Sequence, residues 1–283
     1  MTIVTNRWAA RGRLLRNPAV IFSALLLAAI LAMVVAGPWL SPYAFDYIDF
    51  DADWGSAPSA AGEHWFGTDS LGRDLFVRTL HGGRISMLVG LGATLISLAI
   101  GVTWGAVAGY WGGRIDDVMM RAVDVLYALP FMFLVILLMV LFGHHLALLF
   151  VAIGVVNWLD MARIVRGQTL ALRHREFVLA ARVAGRSRAD ILRLHIIPNL
   201  LGVVAVYATL IIPQAMLVES FLSFLGLGTQ EPATSWGALV NDGAREMESA
   251  PWSLIFPAAF LALTLLGFNM LGDGLRDAMD PKD

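Results

Sequence analysis

The sequence predicts an all-α membrane protein that crosses the bilayer six times and keeps both termini in the cytoplasm. Three observations carry that expectation. Of 283 residues, 58% are hydrophobic and only 15% are charged, and the mean hydropathy is +0.70, whereas a soluble domain has about 25% charged residues. Six apolar stretches approach the ~20 residues that a helix needs to cross a hydrocarbon core of about 30 Å. Sixteen of the 20 Lys and Arg fall on one side of the resulting topology, as the positive-inside rule demands of cytoplasmic segments.

Taken in order, residues 1–18 form a cytoplasmic segment with Arg7, Arg11, Arg13 and Arg16. The first crossing, 19–40, is uncharged. It outlasts the apolar region of a signal peptide and ends in Gly37-Pro38-Trp39, a poor cleavage site. Residues 41–84 make an acidic outer loop. Within it, 71–80 is expected to form a short interfacial helix, capped by Thr68-Asp69-Ser70, with Leu71, Leu75, Phe76 and Leu80 toward lipid and Arg73 and Arg78 toward headgroups.

Residues 85–283 form a five-helix core. Its first crossing, 85–108, starts a ridge of Ala93, Ser97, Gly101, Gly105, Gly109 and Gly113, four residues apart, which admits a close helical neighbour from this chain or another. The next, 125–142, is almost wholly aliphatic. In 146–165, Asp160 is placed to pair with Arg163 three residues on. Crossing 200–225 carries Gln214 and Glu219. Pro213 kinks that helix and frees a carbonyl, so Glu219 is a candidate for lining a cavity or gate. The last crossing, 252–271, has only Asn269 among strongly polar groups. Trp39, Trp236 and Trp252 fall at the outer interface, where an indole is favoured.

The inner loop at 166–199 is too long for a simple connection. Glu176 to Ala184 reads as a helix with two apolar faces, one of Phe177, Ala180, Ala181 and Ala184, the other of Leu179 and Val183. Such a helix can rest one face on the membrane domain and offer the other to a partner groove. Gly185 ends it in a left-handed cap. Ser187 and Asp190 form a capping-box-like pair that opens a second helix, and Pro198 is placed to stop it. Arginines rim the hairpin, Arg186 among them.

Several chemistries are excluded. There is no cysteine, hence no thiolate metal site or cysteine nucleophile. The only lysine is Lys282, preceded by Pro281, so the chain has no Walker A loop of its own. Zinc-protease and serine-hydrolase motifs are missing, and His144-His145 are adjacent rather than helically spaced. The net charge of −2 gives no basic excess for nucleic acid. Intramembrane ionisable groups are too few and too near the span ends for a proton relay, which disfavours an ion-coupled secondary transporter or channel.

Residues 176–185, followed by His195-Ile196-Ile197-Pro198-Asn199, resemble the EAA loop of binding-protein-dependent ABC importer permeases. Leu179 stands where that family usually has Glu. Residues 66–74, 221–228, 235–239 and 272–281 resemble further signatures of the peptide and nickel permeases, and the chain is most similar to the C-type subunit of oligopeptide importers. The resemblance implies a type I importer transmembrane domain in a bacterial inner membrane, with 41–84 periplasmic. It implies a peptide substrate, with nickel or glutathione as alternatives. Its partners are a second homologous permease in a heterodimer, two cytoplasmic ATPases, a periplasmic solute-binding protein and membrane lipids. This chain is then not an enzyme and holds no cofactor; ATP and Mg are bound by the ATPases. Glu176, Phe177, Ala180, Ala181, Ala184, Gly185 and Arg186 are the expected docking residues. Pro213, Glu219, Gly226 and Gly228 are the expected pathway or gate positions, and Gly101, Gly105 and Gly109 the packing positions.

Overall fold

The computed structural model describes residues 17–50, 54–60, 64–143 and 145–279. The N-terminal arginines, Asp51, Asp53, Glu63, His144 and Lys282 lie outside them. Among the described residues five helices are long and apolar enough to cross a membrane, or six spans if one pair bent at a short break is counted as one. Among the described residues there is no strand, only two isolated bridges near Asp74.

Helix α1, Pro18–Ala36, starts where Asn17 accepts a hydrogen bond from the Ala19 N–H at 3.0 Å. Proline in the first turn costs nothing, because no intrahelical donor is needed there. Only Ser23, Ile30 and Val34 are buried, which leaves most of α1 for lipid or a partner.

Helix α2, Leu75–Trp111, has 37 residues and at 1.5 Å per residue is about 55 Å long, more than a bilayer core. It absorbs residues 75–80 of the 71–80 segment expected to be an interfacial helix, while 71–74 stay in the loop. The true cap is Asp74, which accepts from the Val77 N–H at 2.8 Å. Leu75, Arg78 and Leu80 are buried in protein rather than laid on lipid. The ridge on α2 packs within this chain, against α5, Leu146–Leu172. A methyl on Gly101 would lie 2.6 Å from Met161 Cβ, and one on Gly109 2.8 Å from the Arg166 carbonyl oxygen. Gly105 faces Ala162 and Val165 in the same way. Gly113 is not part of the seam: it has φ +56° with nothing near it and opens the next helix.

The third crossing is a bent pair, α3 (Gly113–Tyr127) and α4 (Phe131–Phe142), at 76° to each other. Pro130 lacks an N–H and biases Leu129 away from helix, which explains the break. Across the bend, the expected pairing of Asp160 with Arg163 is replaced. Tyr127 donates to Asp160 at 2.8 Å and Arg163 donates to Asp124 at 2.8 Å. Arg166 grips Asp116 through two guanidinium nitrogens. Acids on α3 thus reach across to α5 rather than along one helix.

The chain then forms α6 (Glu176–Val183) and α7 (Arg188–Ile191), a π-turn (Leu192–Ile196) and α8 (Ile197–Phe224). Pro198 does not stop the helix. It sits in the first turn of α8, where a missing N–H is tolerated, and the π-turn takes up the mismatch. Residues Arg188–Phe224 therefore run on as one 37-residue span. Then α9 (Trp236–Arg245) precedes the last crossing, α10 (Trp252–Met279). Trp236 is fully buried, not interfacial. Its Nε1–H donates to the Thr79 carbonyl at 2.8 Å, and its ring packs on Gly83, where any side chain would collide with it.

Candidate functional site

The inner hairpin is built by backbone closure. At the end of α6, Gly185 has φ +77°. Its N–H donates to the Arg182 carbonyl at 3.0 Å, and the Arg186 N–H to the Ala181 carbonyl at 3.1 Å. This doubly closed cap needs a residue that tolerates the left-handed region. Ser187 then caps α7: its Oγ accepts from the Asp190 N–H at 3.1 Å and donates to the Asp190 carboxylate at 2.7 Å.

Helix α6 does present two faces, but their membership differs from the expected one. Val178 and Ala181 are buried with Ile191, Leu192 and Ile196, against Tyr110, Met161 and Val165 of the membrane helices, and Phe177 packs on the same cluster. Ala180 and Ala184 point outward with Leu179. Val183 is 90% exposed. Val178 is the anchor that sequence reasoning missed. The i, i+3 spacing of Val178 and Ala181 carried the signal.

Cations frame the exposed face. The Arg182 guanidinium sits 5.3 Å from the Tyr110 ring centroid, and Arg173 donates to the Gly109 carbonyl at 3.1 Å. Arg186, Arg188 and Arg193 are exposed, as is Glu176, which lies in the first turn where the helix dipole favours an acid. The hairpin is thus an apolar knob in a cationic rim. Because it continues through the π-turn into α8, force on it acts directly on a membrane-crossing rod.

The candidate gate residues on α8 lie inside the protein. Pro213 and Glu219 are buried. The Glu219 carboxylate accepts from Ser86 Oγ at 3.1 Å and Ser223 Oγ at 2.7 Å. Ser86 in turn accepts from the Trp236 N–H at 3.1 Å, and Ser223 lies 3.3 Å from Ser235 Oγ. Glu219 therefore joins α2, α8 and the start of α9 rather than facing a cavity. An acid near the end of a span is enclosed here because serines on three elements surround it. Gly226, φ +76°, closes the end of α8 as Gly185 closes α6, with the Leu227 N–H donating to the Leu222 carbonyl at 2.9 Å. Gly228 packs on Ser223 with no room for a side chain.

A second charged cluster gathers where the loop before α2 meets the segment between α8 and α9. Arg73 donates to Asp69 at 2.7 Å and Glu231 at 2.6 Å. Arg78 donates to Glu231 at 3.2 Å and to the Phe45 carbonyl at 3.3 Å, and its Nε lies 3.3 Å from Asp69. Burial disfavours the Arg73 charge, but Glu231 and Asp69 outweigh it and raise the pKa above its ordinary value. A cavity of about 260 Å³ lies beside this network, between Arg73, Glu231, Asp242 and Arg245. Among the described residues no group of three His, Cys, Asp or Glu is placed to hold a metal ion.

Residues 101–282 match the family described as binding-protein-dependent transport system inner membrane component. Residues 7–58 match the N-terminal transmembrane domain of oligopeptide transport permease C. The chain is 56% identical over 277 residues to the oligopeptide transport system permease protein OppC of Haemophilus influenzae, covering 97% of this chain and 88% of that protein. It is 55% identical to OppC of Escherichia coli K12, covering 97% of this chain and 90% of that one. Against the dipeptide transport system permease protein DppC of Bacillus subtilis it is 49% identical, covering 95% and 84%.

Proposed function

The chain belongs to the family of binding-protein-dependent transport system inner membrane components, and from that premise we propose that it is a permease subunit of an ATP-driven peptide importer. It is a multi-pass inner-membrane protein. The observation that carries the substrate class is the identity of 55–56% with oligopeptide permeases over 97% of the chain. The subunit conducts and does not catalyse. Two separate cytoplasmic ATPases bind ATP and Mg, a homologous permease supplies the other half of the pathway, and a periplasmic binding protein delivers the peptide to the outer face. This arrangement places both termini and the hairpin in the cytoplasm.

The hairpin is the part that the ATPase grips. Phe177, Val178 and Ala181 hold α6 to the membrane helices, while Leu179, Ala180, Val183 and Ala184 enter the ATPase groove. Glu176 and Arg186 flank the contact, and Gly185 fixes the turn. Leu179 makes the contact more apolar than a glutamate there would. Motion of the hairpin passes through the π-turn to α8, with Pro213 and Gly226 as the positions where its outer half can swing.

Co-expression of this chain with its partner subunits, reconstitution into proteoliposomes and addition of a peptide-loaded binding protein tests the reading. ATP-dependent uptake of a labelled tripeptide is the expected result, and uptake of nickel alone would overturn it. Ala180→Asp should abolish uptake and release the ATPase while the subunit still inserts.

A further inference from the structure

The outward face of α8 carries Gln214, Leu217, Phe221 and Phe224 at helical spacing, all exposed. Three of the four are apolar. Gln214 is a carboxamide ten residues before the outer end of α8, about 15 Å along the axis. That depth is the middle of a core about 30 Å thick. Its side chain makes no hydrogen bond among the described residues. Two other exposed polar groups on the crossings escape this problem. Thr103 donates to the Ala99 carbonyl at 2.7 Å. Asn269 lies seventeen residues from the outer start of α10, about 26 Å deep, where water at the inner interface reaches it.

A bare carboxamide at the midplane is costly against lipid, because hydrocarbon offers neither donor nor acceptor. Polar groups at such depth face a water-filled cavity or another protein group. We propose that Gln214 lines the translocation pathway at mid-membrane and hydrogen-bonds the backbone of the passing peptide. This inference rests on the peptide-importer reading above.

Two features favour the pathway over a fixed bond to the second permease. Helix α8 is the crossing whose inner end is continuous with the hairpin, so a permanent cross-subunit tie would pin the element that has to move. On the same face, Leu217 and Phe221 stand between Gln214 and the outer end. Exposed apolar side chains of this kind are what a dewetting gate is built from. The chemistry also suits a varied cargo. A carboxamide offers a donor and an acceptor, the same pair as a peptide bond. It can therefore contact any peptide whatever its side chains, and being neutral it holds none of them tightly.

The absence of cysteine means that Gln214→Cys introduces the sole thiol of this subunit. In the full reconstituted complex, a charged, membrane-impermeant methanethiosulfonate reagent should modify it, and peptide-loaded binding protein with ATP should slow the reaction at least severalfold. Ala215→Cys, on the buried face, should stay unreactive. In parallel, Gln214→Leu should lower tripeptide uptake about three- to tenfold, the worth of one hydrogen bond. Gln214→Asn should restore part of it, with ATPase association unchanged in both. If the thiol of Gln214→Cys reacts only with an apolar maleimide, the position faces lipid. If it cross-links to the second permease and resists the charged reagent, the position sits in the subunit seam. Either result overturns the proposal, as does full uptake by Gln214→Leu. A wild-type complex that fails to import peptide sinks the substrate reading and this inference with it. A wild type that imports while the thiol stays inert sinks this inference alone.

Discussion

The two ends of the molecule satisfy their side chains in opposite ways. At the outer end, Arg78 is fully buried and is met by Glu231, the Phe45 carbonyl and Asp69. Those partners come from three separate segments. At the inner end, the hairpin is closed by its own backbone and by Ser187 and Asp190, three residues apart. It leaves Val183 90% exposed and Leu179 45% exposed. Leu179 and Val183, one helical turn apart and ringed by arginines, give one face of α6 the character of a surface that fits a partner groove. The network around Arg78 is closed within the chain, whereas on the proposed function the hairpin is completed by another protein. Damage outside should therefore cost folding, and damage inside should cost assembly.

The largest effect should come from Arg78→Ala. Removing Arg78 leaves Arg73 as the one cation between Asp69 and Glu231 and empties a fully buried site of a large side chain. Losing its hydrogen bonds and packing there should cost about 3 kcal/mol. The thermal unfolding midpoint of the purified complex should fall sharply, and less of the subunit should accumulate in membranes. An unchanged midpoint would mean that the outer network is decoration and the comparison is wrong.

Next comes Val183→Asp. The side chain touches little in this chain, so the subunit's own stability should change by no more than about 0.5 kcal/mol. A central apolar contact in an interface is commonly worth about 2 kcal/mol or more, near thirtyfold in affinity. Co-purification of the ATPase should drop by that order, and uptake with it, at an unaltered unfolding midpoint. If the ATPase stays bound, the exposed face of α6 is not the grip.

The same division explains what is legible in the sequence. Six crossings are legible because an apolar run of about twenty residues is a local property. The hairpin is legible because Gly185, Ser187 and Asp190 act on backbone within a few positions. What fails is long-range. Arg78 looks like a headgroup ligand until Glu231, 153 residues away, is placed beside it. Glu219 looks like a gate until Ser86, 133 residues away, encloses it. Trp236 looks interfacial until Gly83 makes room for its ring. In α6 the error is one of phase. Each residue turns a helix by about 100°, so starting the stripe at Phe177 and stepping to Ala180 moves the buried face off Val178.

The smallest effect is also the sharpest separation of the two ends. Ser187→Ala removes the side chain that accepts from the Asp190 N–H at 3.1 Å. Loss of a serine N-cap costs about 1 kcal/mol. Helix α7 is only four residues long, so it has little else to hold its first turn. Helix α6 should not feel the change, because its closing bonds at Gly185 and Arg186 are backbone to backbone. Hydrogen exchange should therefore quicken about fivefold at Asp190 and Ile191, an open population raised by that energy, and stay constant through Glu176–Val183. Peptide uptake should fall modestly while the ATPase remains attached, since the grip is intact but the link from it to α8 is looser. A drop in the global unfolding midpoint instead would show that the hairpin shares the cooperative core of the membrane helices. The inner end would then be no more separable from the fold than the network around Arg78.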